Sequence, residues 1–323
     1  MNAVEAVLVM LVLIGAGFAI QKKGWVDDSV TRFISKVVVN VALPCYMFWN
    51  LSVGYDRAKL LEILPLVPVP LLSIASSLAI GALTARVFAP LGQRGAYTAM
   101  VGFSNTIFIG LPINQLLFGD AGIPWVIVTY IANTTLFWTV GVAAIASDGR
   151  VNADGSLQPL QKMGIMARLA RIFSPPIIVF LVTVSLIMIQ LPMPTFLLES
   201  AKYIGAMVTP LSMLFIGMSV AQSSLRDFRV EPSLIGISLG RFVIAPLVLI
   251  AIVQLFSLVF NYRLPPLAVS VFVIQAIMPA MAQTAIIAKA NGADHVFSAR
   301  MTVYTTILSM AVIPVVFGIM QSL

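Results

Sequence analysis

The sequence predicts an all-α polytopic membrane protein of ten transmembrane helices, arranged as an inverted 5+5 repeat with broken, crossing helices 4 and 9. Three observations predict it: ten apolar runs of bilayer-spanning length, a one-sided distribution of Lys and Arg among the loops between them, and breaks that recur in the same order in both halves. The solvent is fixed first. Of 323 residues, 60% are hydrophobic and 10% are charged, and the mean hydropathy is +1.02. Soluble domains carry about 25% charge. This chain therefore lacks the polar residues to cover its apolar surface in water, and lipid is the solvent that suits it.

The ten runs cover about residues 3–20, 33–53, 63–88, 96–117, 123–147, 172–191, 202–221, 233–259, 266–289 and 297–320. Crossing about 30 Å of hydrocarbon takes roughly 20 apolar residues in a helix. Charge- and turn-rich segments separate the runs, among them Gln21–Asp28, Tyr55–Glu62, Ala89–Gly95 and Asn261–Pro266. The longest polar stretch starts at Ser147. It divides the chain into a first five-helix repeat (1–147), a cytoplasmic connecting loop (148–171) and a second, inverted repeat (172–323). The opening run to Ile20 has neither a basic flank nor a small-residue cleavage site, and it reads as a retained span rather than a signal peptide.

Orientation follows from the cationic residues. Fourteen of the 19 Lys and Arg fall in loops after odd-numbered spans, from Lys22 and Lys23 through Arg86, Arg94, Lys162, Arg168, Arg171, Arg226 and Arg229 to Lys289 and Arg300. Four fall after even-numbered spans (Arg57, Lys59, Lys202, Arg263), and Arg241 alone lies within a span. Positive loops stay in the cytoplasm, which places both termini outside. The same scatter disposes of a nucleic-acid reading of the +7 net charge, because it builds no basic stripe. With one cysteine, Cys45, and one histidine, His295, the chain has no disulfide framework, no thiolate metal site and no histidine-based catalysis.

An odd number of spans in each half inverts one half relative to the other, and residues recur in step with that plan. Pro44 and Pro210 lie 166 residues apart, Pro112 and Pro279 lie 167 apart, and Thr134-Thr135 precedes Thr305-Thr306 by 171. Inverted repeats with paired, interrupted hydrophobic segments are a common plan of membrane carriers.

The interruptions carry the candidate chemistry. Span four holds Asn105, Thr106, Gly110 and Pro112, and span nine holds Gln275, Pro279, Gln283 and Thr284, all in the middle of apolar runs. Proline removes a backbone donor and clashes with the preceding turn. The freed carbonyls cannot face lipid, so they are buried in protein or line a cavity. The half-helix N-termini that such breaks create suit a carboxylate. These eight residues, with Asn133 and Tyr304 from spans five and ten, are the predicted substrate-binding set.

Pro44 and Pro210 read as bend points, and Asn40 as a pore-facing residue. Thr134, Thr135, Thr305 and Thr306 read equally well as hydroxyls bonded within their own helices. Arg241 near a span centre costs about 2.5–3.5 kcal/mol on insertion scales. It either reaches the cytoplasmic face or serves anion attraction or gating, the role also considered for Asn40.

The acids inform by position. All twelve lie outside the middle of spans, Glu5 near an outer end being the nearest exception, so no intramembrane carboxylate relay is visible. A phosphate-binding loop, a zinc-protease motif and a Ser–His–Asp set are also missing from the sequence. The protein is therefore expected to be no enzyme and to need no cofactor, with sodium or proton coupling open.

Several motifs resemble one family. Asn40-Val41-Ala42-Leu43-Pro44, Ser104-Asn105-Thr106 with Gly110-Leu111-Pro112 and Phe118-Gly119-Asp120, Arg241-Phe242 with Pro246, and Met278-Pro279 with Ala285-Ile286-Ile287-Ala288 are similar to those of the auxin efflux carrier family. Its bacterial members include malonate and malate permeases, and it is distantly related to bile acid sodium symporters. The resemblance spans nearly the whole chain. It implies a scaffold part and a transport part built around crossed helices, with Asn105, Pro112, Pro279, Gln283 and Thr284 at the cavity, in a bacterial cytoplasmic (inner) membrane.

The expected function is that of a secondary carrier of small organic anions, such as mono- or dicarboxylates, working by alternating access with its site at the helix 4/helix 9 crossover. Its partners are then the organic acid and the bilayer, and a homodimer is left open as its assembly. The competing expectations are a solute sensor that binds without transport and a sodium-coupled symporter of a larger organic anion. The orientation is testable in a Cys45→Ala background. A membrane-impermeant thiol reagent applied from outside should label Lys59→Cys and spare Lys23→Cys and Arg94→Cys.

Overall fold

The computed structural model describes residues 3–150, 175–222 and 230–322. The predicted connecting loop beyond Arg150 lies outside the described residues, as do Lys162, Arg168, Arg171, Arg226 and Arg229 of the orientation argument. Every named element among the described residues is helical, and the one strand-like contact is an isolated antiparallel bridge between Ser104 and Ala280. Six helices are long and apolar enough to cross a membrane: Ser29–Gly54, Arg57–Phe88, Asp120–Asp148, Thr195–Gln222, Pro232–Phe260 and His295–Ser322. They fall on predicted spans two, three, five, seven, eight and ten. Four shorter apolar helices, Leu8–Lys22, Thr106–Phe118, Pro175–Met188 and Pro266–Ala276, fall on the other four runs. In spans four and nine the shortness has a visible cause, because each run is split into two helices around an unwound segment.

Proline shapes the long helices through wide turns. Four π-helical turns occur among the described residues, at Val38–Ala42, Thr106–Gly110, Phe137–Gly141 and Gly240–Ile244. Three of them are followed, two residues on, by Pro44, Pro112 and Pro246. A proline has no N–H for the ladder and crowds the carbonyl one turn back, and a widened turn relieves both problems without ending the helix. Pro44 thus sits just past a widened turn. Pro210 lies in the first turn of Val208–Gln222, after a short break at Ala206 and Met207 separates that helix from Thr195–Gly205. At the aqueous end of span two, Asp27 caps the helix Asp28–Val37 by accepting from the backbone N–H groups of Ser29 and Val30. The Ser29 hydroxyl, with these N–H groups, holds its carboxyl below the ordinary aspartate value.

The described residues fall into two compact units. The first lies within Met1–Val67, Ile107–Val128 and Phe173–Ser224, and the second within Pro68–Thr106, Thr129–Ile172 and Leu225–Leu323. Each unit therefore draws segments from both predicted repeats.

In the first unit, the helix Ala3–Lys22 packs against Val208–Gln222 at a distance that only glycine permits. A Cβ on Gly217 would overlap the Ile14 carbonyl, and one on Gly17 would overlap the Leu214 carbonyl. Without a hydrophobic drive between helices in lipid, such close backbone approach supplies the packing. In the second unit, Phe103 and Phe137 meet edge to face at 5.2 Å, in a cluster with Ile145, Ile287 and Ala288. There the helix Arg94–Gly102 lies so close to Val142–Asp148 that a Cβ on Gly95 would overlap the Ala144 carbonyl.

The glycine seam of the first unit gives a direct test. Gly217→Leu should lower stability by about 1–3 kcal/mol, the usual range for overpacking. Thermal unfolding of the detergent-purified protein reads this as a lower midpoint, while a leucine at the open Gly318, which has nothing within reach of an added Cβ, should leave it unchanged.

Candidate functional site: the junction of two broken helices

Two helices of the second unit stop short, and their ends meet. The helix Arg94–Gly102 gives way at Phe103, whose backbone is extended (φ −100°, ψ 129°). Ser104 and Asn105 follow, residue types that bond backbone groups outside helices as readily as within them. The helix Pro266–Ala276 gives way at Ile277 (φ −88°, ψ 6°). Pro279 disfavours helical backbone at Met278 before it and offers no N–H of its own.

The unwound strands satisfy each other. The Asn105 N–H donates to the Pro279 carbonyl at 2.9 Å, and the Met281 N–H donates to the Phe103 carbonyl at 3.2 Å. Ser104 and Ala280 lie opposite one another between these bonds. The remaining groups find side chains. Asn133 brackets Ser104 with its amide, accepting from its N–H at 3.1 Å and donating to its carbonyl at 3.1 Å, and it also donates to the Met281 sulfur at 3.8 Å. The Ala280 N–H donates to the Thr305 hydroxyl at 3.2 Å, and Gln275 donates to the Thr106 carbonyl at 3.4 Å.

The helix ends are closed by charge. Arg241, in the π turn Gly240–Ile244, is 1% exposed. Its Nη1 donates to Val101 O at 2.9 Å, its Nη2 to Ala276 O at 2.8 Å and to the Ser104 hydroxyl, and its Nε to Met278 O at 3.0 Å. Val101 and Ala276 stand at the C-terminal ends of the two broken helices, where partial negative charge gathers. At the other end of Arg94–Gly102, the Asp148 carboxylate accepts from the N–H groups of Gly95 and Ala96 at 2.9 and 2.7 Å. One short helix thus carries an anion at its positive end and a cation at its negative end. Among the described residues, Arg241 and Asp148 are the buried charged side chains.

The predicted site residues divide between the units. Asn105, Thr106, Asn133, Gln275 and Pro279 come together at the junction through the bonds above, and Arg241 joins them. Gln283 and Thr284 open the next helix, Gln283–Ala290. Thr284 is fully buried, and its hydroxyl has no protein partner. Tyr304 is 2% exposed beside Thr305. Gly110 and Pro112 belong to the first unit, with Pro112 the second residue of the helix Leu111–Phe118. The break in span four therefore precedes Pro112. Asn40 is exposed in the first unit and donates to the Lys36 carbonyl at 3.0 Å. Thr306 and Thr305 both donate to carbonyls one turn back in their own helix.

Ser104 and Thr305 act at the junction without having been singled out for it. Their positions beside Asn105 and Tyr304 were the available signal, and a hydroxyl in a membrane helix is too common to read alone. Asp120 of the Phe118-Gly119-Asp120 motif accepts from the Tyr46 hydroxyl at 2.9 Å in the first unit. It helps line a cavity of about 420 Å³ there with Trp49, Asn50 and Lys59. No cluster of three or more His, Cys, Asp or Glu able to hold a metal ion occurs among the described residues.

A helical, lipid-suited chain with two broken helices joined through a buried polar network is an integral membrane protein of the transporter class. The chain belongs to the membrane transport protein family, whose model matches residues 2–317. It is 27% identical over 319 residues to an uncharacterized transporter of Methanothermobacter thermautotrophicus, and 22% identical over 321 residues to one of Methanocaldococcus jannaschii; 97% of each chain is covered in both comparisons.

The clamp on Ser104 predicts a measurable loss. Asn133→Leu keeps approximate bulk but strands the buried Ser104 N–H, at about 1–3 kcal/mol, while the Ser104 carbonyl keeps the Thr106 N–H. Its thermal midpoint should fall well below that of Thr139→Ala, which removes only an exposed hydroxyl bonded within its own helix.

Proposed function

We propose that this protein is a secondary carrier of small organic anions, such as mono- or dicarboxylates, whose site is the junction of the broken helices in spans four and nine. One observation carries the proposal: polar backbone is kept unwound in the middle of two apolar segments, at the cost of a dedicated set of buried side chains. Continuous helices would satisfy the same groups within themselves. Irregular backbone at membrane depth belongs where a solute or ion is handled, and a fold that departs from local consistency does so at functional sites. Membership of the membrane transport protein family and two relatives named as transporters support the class.

The finer reading has separate supports. The ten apolar runs, six of them long helices and four shorter, favour ten spans in an inverted 5+5 repeat with the division near 148–171. The resemblance to auxin efflux carriers favours alternating access. In that mechanism the unit that holds the junction is the transport part, and it presents the site to each side of a cytoplasmic membrane in turn. Asn105, Gln275, Gln283, Thr284 and Tyr304 supply polar contacts, and the opened helix N-termini attract the carboxylate. The amides and hydroxyls of the junction are neutral, and the Arg241 guanidinium is committed to three carbonyls and the Ser104 hydroxyl, so the anion is recognised by neutral donors and dipoles. No step of this cycle makes or breaks a covalent bond.

Uptake of labelled mono- and dicarboxylates into proteoliposomes tests the proposal. Wild-type protein should accumulate label saturably above protein-free vesicles, and Asn105→Ala and Pro279→Ala should each cut the initial rate at least tenfold, equivalent to about 1.4 kcal/mol. Unchanged rates in both variants would remove the site from the junction, and saturable binding without flux would favour a sensor.

A further inference from the structure

Arg241 presents a monocation to a set of neutral oxygens. Its acceptors named above are three backbone carbonyls, Val101 O, Ala276 O and Met278 O, and the Ser104 hydroxyl. No carboxylate is among them. Two of the carbonyls stand at the C-terminal ends of the broken helices, and Met278 and Ser104 lie in the two unwound segments. This is the donor set with which broken-helix carriers hold a coupling sodium: unwound carbonyls, hydroxyls and the negative ends of half-helices. Hard monovalent and divalent cations favour such oxygens for the same reason, their compact charge. Here the guanidinium lies among those oxygens, is 1% exposed, and bonds both broken helices at once.

We propose that Arg241 is a built-in cation that takes the place of a coupling sodium at the junction, so that the broken helices hold their arrangement without an ion from solution. The inference rests on reading the protein as a carrier, and it names that carrier's relation to sodium. A tethered charge is present at every moment of the cycle and at every salt composition. An ion that must bind and leave couples transport to its own gradient, whereas Arg241 cannot leave. The junction is then sodium-indifferent, and any driving gradient acts elsewhere or is the anion's own. A guanidinium also suits the position better than an ammonium, because its rigid fork aims donors at several carbonyls together.

A purely structural clamp and a cation surrogate differ in one observable, the identity of the cation that can replace the side chain. The test follows thermal unfolding of purified protein in sodium chloride and in choline chloride at equal ionic strength, with no organic anion present. Wild type should unfold at the same temperature in both salts, and so should Arg241→Lys, which keeps a tethered charge. Arg241→Ser leaves the carbonyls and opens space among them. Its midpoint should be lowered in choline and raised by sodium in a saturable way, as for any ligand that binds the folded state.

A sodium-specific rise in wild type or in Arg241→Lys would overturn the proposal. So would an Arg241→Ser protein with equal midpoints in the two salts. If Arg241→Ser gives no folded protein in choline, preparation in sodium throughout is the same test. Folded protein there supports the proposal, and none there overturns it. Because no transport is measured, a failure of anion uptake leaves this result standing, and a sodium response in wild type leaves the carrier reading standing as a sodium-coupled one.

Discussion

Hydrocarbon offers no hydrogen-bond partner to a backbone N–H or C=O, so a chain that unwinds inside a membrane must bring its own. The second unit is organised around that constraint. Phe103 to Asn105 and Ile277 to Ala282 interrupt two helices, and the groups they free are taken up by one another, by Asn133, by Thr305 and by Arg241. These partners come from separate helices. The packing of those helices around the junction and the satisfaction of its backbone are therefore the same requirement. Phe103, extended at the break, also packs edge to face on Phe137, which ties the apolar core to the polar junction through one residue.

Charge is used sparingly and at helix ends. Burying an unpaired ion in apolar surroundings is costly enough that proteins avoid it. Arg241 is tolerated because its donors find oxygens already in need of partners. Asp148 mirrors it at the N-terminus of Arg94–Gly102, where its carboxylate meets two N–H groups that no helical carbonyl could reach. The favourable alignment of both charges with the helix dipole lets a helix of nine residues stand in an interior where a longer one would be expected.

The first unit solves a different problem. Its helices Ala3–Lys22 and Val208–Gln222 meet over Gly17 and Gly217 with backbone against side-chain-free backbone, a contact built on van der Waals packing. Its polar pairs, such as Tyr46 with Asp120 and Gln115 with Thr209, lie toward helix ends and do not hold a break open. One unit is thus tied by close packing and the other by a buried polar network. Among the described residues, only the second keeps unwound backbone among buried residues, the feature on which the functional proposal stands.

Composition and run length determined the solvent, the helical class and the location of each apolar helix, since these are one-dimensional properties: how many consecutive residues lipid accepts, and where Pro, Asn, Gln and Gly interrupt them. The resemblance to a transporter family was legible for the same reason, in short motifs centred on those interruptions. The pairing across the junction was not. Pro112 looked like the counterpart of Pro279 because both are prolines in apolar runs, yet Ser104 and Asn105 are the residues that face Pro279 and Ala280. Arg241 could equally have reached for the cytoplasm, and Asn133 and Thr305 could have bonded only within their own helices. What decided each case was a partner far away in sequence: Ser104 is 29 residues from Asn133, and Val101 is 140 residues from Arg241. A buried donor takes whichever acceptor the folded chain leaves unsatisfied beside it, and only tertiary packing fixes which one that is.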